Sequence, residues 1–257
     1  MKRITAALLA SGTLLVASLQ AQSTLFSQDW ANTALITVND DWSGLWNGTT
    51  GTGIVGFRGD SLTGSAGTDP QTLTSDDASP LLDVNANQTN PNTFMTGGLA
   101  EFDALTNPTI ALTGSGTADA PYLLFGLSTL GYQSINVSYT LRDIDGSTDN
   151  AVQSVALQFR TGSTGTWANL AAGFVADAST GPSLAAQETA VSVADDAFSN
   201  LSLVQFRVIT TNAVGNDEWI GVDDIRVTGA VIPEPSTYAM ILGALALGLV
   251  AVRRFRR

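Results

Sequence analysis

The stretch "INVSYTLR" constrains the fold more than any other in the chain. In it Ile135, Val137, Tyr139 and Leu141 alternate with Asn136, Ser138, Thr140 and Arg142. A period of two over eight residues gives a strand one apolar and one wet face, and the apolar face must be covered by another layer. A cluster of turn formers, "DIDGSTDN", follows. A second alternating run, "SVALQFRTG", then places Val155, Leu157 and Phe159 on one side and Gln158 and Arg160 on the other. Two such runs around a Gly/Asp/Asn loop predict a long antiparallel hairpin.

Further short apolar runs predict strands at Ile54 to Phe57, Pro121 to Leu127, Thr189 to Val193, Val204 to Ile209 and Trp219 to Val227. Helical periodicity is scarce between the two ends of the chain, so the body reads as all-β, a single antiparallel β-sandwich of jelly-roll type. In the last of these runs Ile220 and Val222 fall on even numbers but Ile225 and Val227 on odd ones. The inward face slips by one residue across Asp223 and Asp224. A β-bulge produces that slip, and so does a turn between two separate strands. The region from Asp60 to Pro108 is less regular and reads as long loops, which in a domain of this size are either functional or poorly ordered.

The ends carry different signals. "MKRITAALLASGTLLVASLQAQS" has a basic start, an apolar run from Ile4 to Leu19 and small residues near Ala21. That is the layout of a secretory signal peptide, 1–21, with cleavage expected after Ala21 or close by at Gln20. At the other end Pro233, Glu234 and Pro235 precede seventeen uncharged residues, Ser236 to Val252, and then Arg253, Arg254, Arg256 and Arg257. Seventeen helical residues at ~1.5 Å each reach roughly 25 Å, enough for a thin bilayer. The arginines are expected to stay cytoplasmic as a stop-transfer cluster. The chain thus divides into a signal peptide, a body at 22–232 and a tail at 233–257 that holds an expected transmembrane helix.

The body has five arginines, no lysine and 22 Asp and Glu, a net charge of −17. Such a surface repels phosphate backbones and anionic lipid, so nucleic acid is not an expected partner. Cys and His are absent from the chain. This removes disulfide frameworks, cysteine nucleophiles, histidine acid/base chemistry and the usual zinc ligand sets. Glu101, Glu188 and Glu218 are acids of the kind a glycoside hydrolase uses in pairs, but no complete catalytic constellation is legible, and the body reads as a non-enzyme.

Oxygen ligands remain, and Ca²⁺ is the cofactor they suit. Asp143, Asp145 and Asp149, with the Asn150 amide and carbonyls around Gly146, form one candidate set, and Asp217, Glu218, Asp223 and Asp224 a second. A solvated polar turn accounts for the same residues. Trp42 and Trp46 in "DDWSGLWNG" lie four apart beside acids and Asn47. They serve either as a stacking platform for a glycan or as core.

The order of Pro-Glu-Pro, apolar span and terminal arginines resembles the PEP-CTERM sorting signal of Gram-negative bacteria. The resemblance implies recognition by an exosortase, a membrane cysteine protease, with the body released or transferred to the cell surface or the extracellular matrix. The blocks "RDIDGSTDNAVQSVALQFR" and "RVITTNAVGNDEWIGVDDIRVTG" are similar to a β-sandwich module of secreted bacterial proteins, sometimes found beside extracellular nuclease domains. That second resemblance implies a fold and a compartment without a reaction. Together they give the expectation of an exported, exosortase-sorted structural or interaction protein, with carbohydrate binding, for example to extracellular polysaccharide, as the alternative.

Overall fold

The alternating runs form strands, and the faces they bury meet in one core. The structure, a computed structural model, describes residues 21–146, 151–179 and 188–255, without the side chains at 235–241, 244, 245 and 255 of the C-terminal helix. The expected signal peptide lies outside these residues except for Ala21.

Along the chain run β1 (Gln22–Gln28), β2 (Trp46–Asn47), β3 (Thr52–Phe57), β4 (Asn85–Gln88), β5 (Gly98–Phe102), β6 (Thr109–Thr113) and β7 (Tyr122–Leu127). They are followed by β8 (Tyr132–Asp143), β9 (Val155–Thr161), β10 (Ala168–Asn169), β11 (Glu188–Ala194), β12 (Val204–Thr210), β13 (Ile220–Val231) and the helix α1 (Pro235–Phe255). One sheet has the order β11-β8-β13-β6-β5-β4, with β1 also on β13, and the other has the order β10-β9-β12-β7-β3-β2. Pairing is antiparallel except between β4 and β5. Buried Ile135, Val137, Tyr139 and Leu141 from one sheet and Phe125, Leu157, Phe206 and Val208 from the other belong to the same hydrophobic cluster, so the two sheets form a β-sandwich.

The expected hairpin is not there. β8 pairs with β11 and β13, whereas β9 pairs with β10 and β12 in the opposite sheet. Asp143, where β8 ends, and Val155, where β9 begins, therefore lie in opposite sheets. Both runs alternate because both face the same core, from opposite sides.

The slip in the last strand is a bulge. β13 is one continuous strand whose register on β8 shifts between Asp223 and Arg226, and Asp224 takes φ 50°. Ile220, Val222, Ile225 and Val227 are all buried as a result. The bulge also divides the far edge of β13: β6 pairs with Ile220–Val222, and β1 takes over from Ile225 onwards.

The irregular region packs against the sandwich. Residues 58–82 cross the outer face of the six-stranded sheet as a strap, tied down by Gln158 to the Pro70 carbonyl, Asn169 to the Gln71 carbonyl, Arg207 to the Leu73 carbonyl and the Trp167 N–H to the Thr74 carbonyl. On the outer face of the other sheet Ala100, Phe102, Ala111, Ile144 and Trp219 make a second small core beneath Phe94 and Leu105.

The tail is helical over the 21 residues of α1, which carries Arg253 and Arg254 in its last turn. Among the described residues no helix is long and apolar enough to cross a membrane. Arg256 and Arg257 lie outside the described residues.

Candidate functional site

Strand pairing brings one row of residues across the outer face of the six-stranded sheet. Trp46 is opposite Gly53, Gly53 opposite Gly126, Gly126 opposite Gln205, and Gln205 opposite Arg160. The two glycines are needed here: a Cβ at Gly53 would meet the Leu45 carbonyl at 2.0 Å, and one at Gly126 the Gly51 carbonyl at 2.1 Å. The turn at 47–51 therefore packs onto the sheet, held by Gln205 Nε2 donating to the Gly51 carbonyl at 3.0 Å.

Beside this row lies a cleft of about 320 Å³. Trp46, Phe57, Tyr122 and Leu124 give it an apolar side, and Asp76, Asp77, Arg160 and Gln205 a polar one. Phe57 and Tyr122 stack at 5.1 Å between centroids, and Trp46 is half-buried. Arg160 is committed twice. It pairs with Asp76 of the strap, and its guanidinium carbon stands 4.3 Å from the centroid of Trp167. The Arg207 guanidinium lies 4.5 Å from the same ring and 5.4 Å from Tyr122. Each such contact is worth about 0.5–2 kcal/mol, so together they fix the wall of the cleft. Arg207 is fully buried, among the described residues no carboxylate forms an ion pair with it, and burial lowers its pKa to about 10.

Of the two tryptophans singled out by spacing, only Trp46 is at this cleft. Trp42 is in the core, where its Nε1 donates to the Asp83 carbonyl at 3.2 Å and its ring meets Trp30 edge-on at 6.5 Å. With 2 % of its surface exposed it has no face to offer a sugar. Phe57, Tyr122, Asp76 and Asp77 were not legible as partners of Trp46, because the strand register that assembles them is not written in local sequence.

The acidic residues regroup. Asp143 ends β8 opposite Ile220, so Asp145 just beyond it and Glu218 just before β13 come side by side. Burial first, and then Asp143, push the Glu218 carboxyl up to about 7. Asp223 instead forms a buried ion pair with Arg142 at 2.9 Å and accepts from Asn107 at 2.9 Å. Asp224 is exposed, and Asp217 accepts the Ala213 N–H at 2.6 Å. The second expected Ca²⁺ set is therefore dispersed by strand alternation and by the bulge. Asp149 and Asn150 of the first set lie outside the described residues. Among the described residues no three acidic side chains are placed to hold a metal ion.

In the tail, β13 ends at Val231 and α1 begins at Pro235, so Pro233 and Glu234 lie in the link between strand and helix. Glu234 is exposed.

Solved structures similar to the chain include the K3 cleaved adhesin domain of Lys-gingipain from Porphyromonas gingivalis, at TM-score 0.46 and 11% identity, covering 81% of this chain and 99% of that one. CBM28, a carbohydrate-binding module specific for non-crystalline cellulose, matches at TM-score 0.34 and 15% identity over 56% of this chain and 97% of that one. TmCBM61 in complex with β-1,4-galactotriose matches at TM-score 0.33 and 10% identity over 48% of this chain and 71% of that one. No family model and no curated protein matches the chain.

Proposed function

We propose that the protein is an exported, non-enzymatic β-sandwich of the cell envelope or extracellular matrix that binds a neutral polysaccharide in the cleft beside Trp46. The observation that carries this reading is the pairing of aromatic rings with hydrogen-bonding side chains in one cleft of about 320 Å³. A pyranose has an apolar face and a polar edge, and a site for it needs both. Asp76 and Asp77 line the cleft, while Arg160 is already paired, and the body carries −17. A polyanion is disfavoured on that ground. Replacing Trp46 with Ala is expected to weaken binding to a neutral β-glucan or galactan about ten-fold or more in affinity electrophoresis, with Trp46→Phe intermediate. Equal retention of the native protein and Trp46→Ala on every glycan that retards the native protein would refute the reading.

The tail belongs to the same proposal. Prolines around Glu234 keep the link extended, as a protease cleft requires. Leu242, Leu247, Leu249 and Val250 of α1 are all more than 60 % exposed, which supports a non-aqueous cover for the helix, a membrane before an exosortase releases the body. In a host that processes the native protein, Glu234→Ala is expected to accumulate as an uncleaved membrane-held form. Mass spectrometry that finds Arg257 on the released native protein would exclude processing.

A further inference from the structure

Three of the polar side chains that line the Trp46 cleft already hold one another. Arg160 Nε donates to Gln205 Oε1 at 2.9 Å, and its Nη1 pairs with Asp76, whose second oxygen accepts the Gly165 N–H at 2.9 Å. Gln205 Nε2 is held by the Gly51 carbonyl. These groups build the wall and leave little for a ligand.

Tyr122 differs. It opens β7 opposite Phe57 and two residues before Leu124, so strand alternation puts it on the face that forms the cleft. Only 4 % of it is exposed, because Phe57 and the Arg207 guanidinium cover its ring. The ring is therefore no platform for a sugar, and what it presents to the cleft is its hydroxyl edge. Among the described residues the Tyr122 hydroxyl has no hydrogen-bond partner, yet it is not sealed in the interior as the unpaired Tyr139 hydroxyl is. Burial first, and then the charge of Asp77, hold its pKa well above the ordinary tyrosine value, so it remains a neutral donor. Asp77 is half-buried on the same cleft. Its Oδ1 accepts from Ser61 Oγ and the Ser79 N–H, whereas Oδ2 is shielded from water and has no partner among the described residues. A donor and an acceptor are thus left unsatisfied in one cleft, which is unfavourable until something pairs with them.

We propose that Tyr122 and Asp77 set the specificity of the cleft: a free sugar hydroxyl accepts from the Tyr122 phenol and donates to the Asp77 carboxylate while the ring stacks on Trp46. This rests on the glycan reading of the cleft and adds which groups read the ligand and what they demand of it. A hydroxyl both accepts and donates. An ether oxygen can accept from the phenol but has no proton for the carboxylate, and a ligand carboxylate or sulfate is repelled by it. The ligand class is a neutral glycan with unsubstituted hydroxyls, and O-alkylated or acidic glycans are rejected.

The test is affinity electrophoresis of the full chain in a neutral β-glucan or galactan and in the O-methyl ether of the same polymer, with a melting curve for each variant. Tyr122→Phe is expected to weaken binding to the parent polymer about five-fold. Its melting temperature should be unchanged or higher, because the variant removes a buried hydroxyl that has no partner. The native protein should bind the methyl ether about ten-fold more weakly than the parent. Asp77→Asn keeps an oxygen for Ser61 and Ser79 and can turn an N–H, which donates to an ether oxygen, to the place of Oδ2, so it should narrow that difference. Trp46→Ala tests the cleft itself, and the two failures differ. Binding that needs Trp46 but is equal for the native protein and Tyr122→Phe overturns this inference and leaves the cleft reading standing. Equal binding of the parent and its methyl ether by the native protein does the same. A lower melting temperature in Tyr122→Phe would mean that the hydroxyl serves the fold, and also overturns the inference. Binding that does not need Trp46, or none to either polymer, overturns both readings.

Discussion

The protein is expected to melt at least 6 °C higher at pH 5 than at pH 8. Burial raises the carboxyls of Asp83, Glu101 and Glu218 to about 7 in the folded chain. Asp83 is held beneath Gly98 and accepts the Leu99 N–H at 2.7 Å, and Glu101 is raised further by Asp103. Unfolding returns all three to roughly pKa 4. Between about pH 4 and 7 the folded state therefore binds more protons than the unfolded one, so stability rises as pH falls through 7 and levels off near 4. From pH 8 to pH 5 each group can contribute at most about 3 kcal/mol. With more than half of that lost to relaxation, the three together give about 3 kcal/mol, or roughly 6–12 °C for a chain of this size. Asp223 adds in the same direction, because burial outweighs its ion pair with Arg142. Glu218→Gln, which is neutral at every pH, should flatten the slope by about one third. A melting temperature that is constant or falls on acidification would contradict this account.

A core substitution gives the second large effect. Phe206 on β12 is fully buried and in register with Phe125 on one side and Phe159 on the other. It stacks on Phe125 at 5.4 Å and meets Phe198 edge-on at 4.9 Å, and Phe125 in turn stacks on Phe26 of the opposite sheet at 5.8 Å. Phe206→Ala is expected to destabilise the fold by about 3–5 kcal/mol, and Phe206→Leu by about 1–1.5, measured by urea denaturation with one cooperative transition. A loss below about 1 kcal/mol for the alanine variant, or two separate transitions, would mean that the sheets do not share one core.

The strands that face the core on one side and water on the other were legible, β8 most of all. β5 and β6 were not. Every residue of "GLAEF" and "TIALT" is buried, because the small core around Phe102 and Trp219 covers their outer side and erases the alternation. β1 was missed for the opposite reason: "QSTLFSQ" is polar and only half-buried. Period two states that a strand has an inner face but not which sheet it joins, and that is why β8 and β9 read as a hairpin. The slip across Asp223 and Asp224 was legible because it is a parity change within one run. At the site, Trp46 could be named from composition but its partners could not, since they come from β3, β7 and the strap, 11 to 76 residues further along the chain.

The position of β13 also has a mechanical consequence. It is the strand from which the tail departs, and it is flanked by β8 along its length and by β6 and then β1 on the other edge. A pull on the tail runs along the strand axis, so these ladders would be loaded in shear and resist together, where a peeled hairpin yields one bond at a time. Gln22 pairs with Ala230, which brings the first strand to the same point of exit. β1 thus acts as a clasp on the loaded strand, and the lifetime of the body under tension would be set by the rate at which that clasp opens.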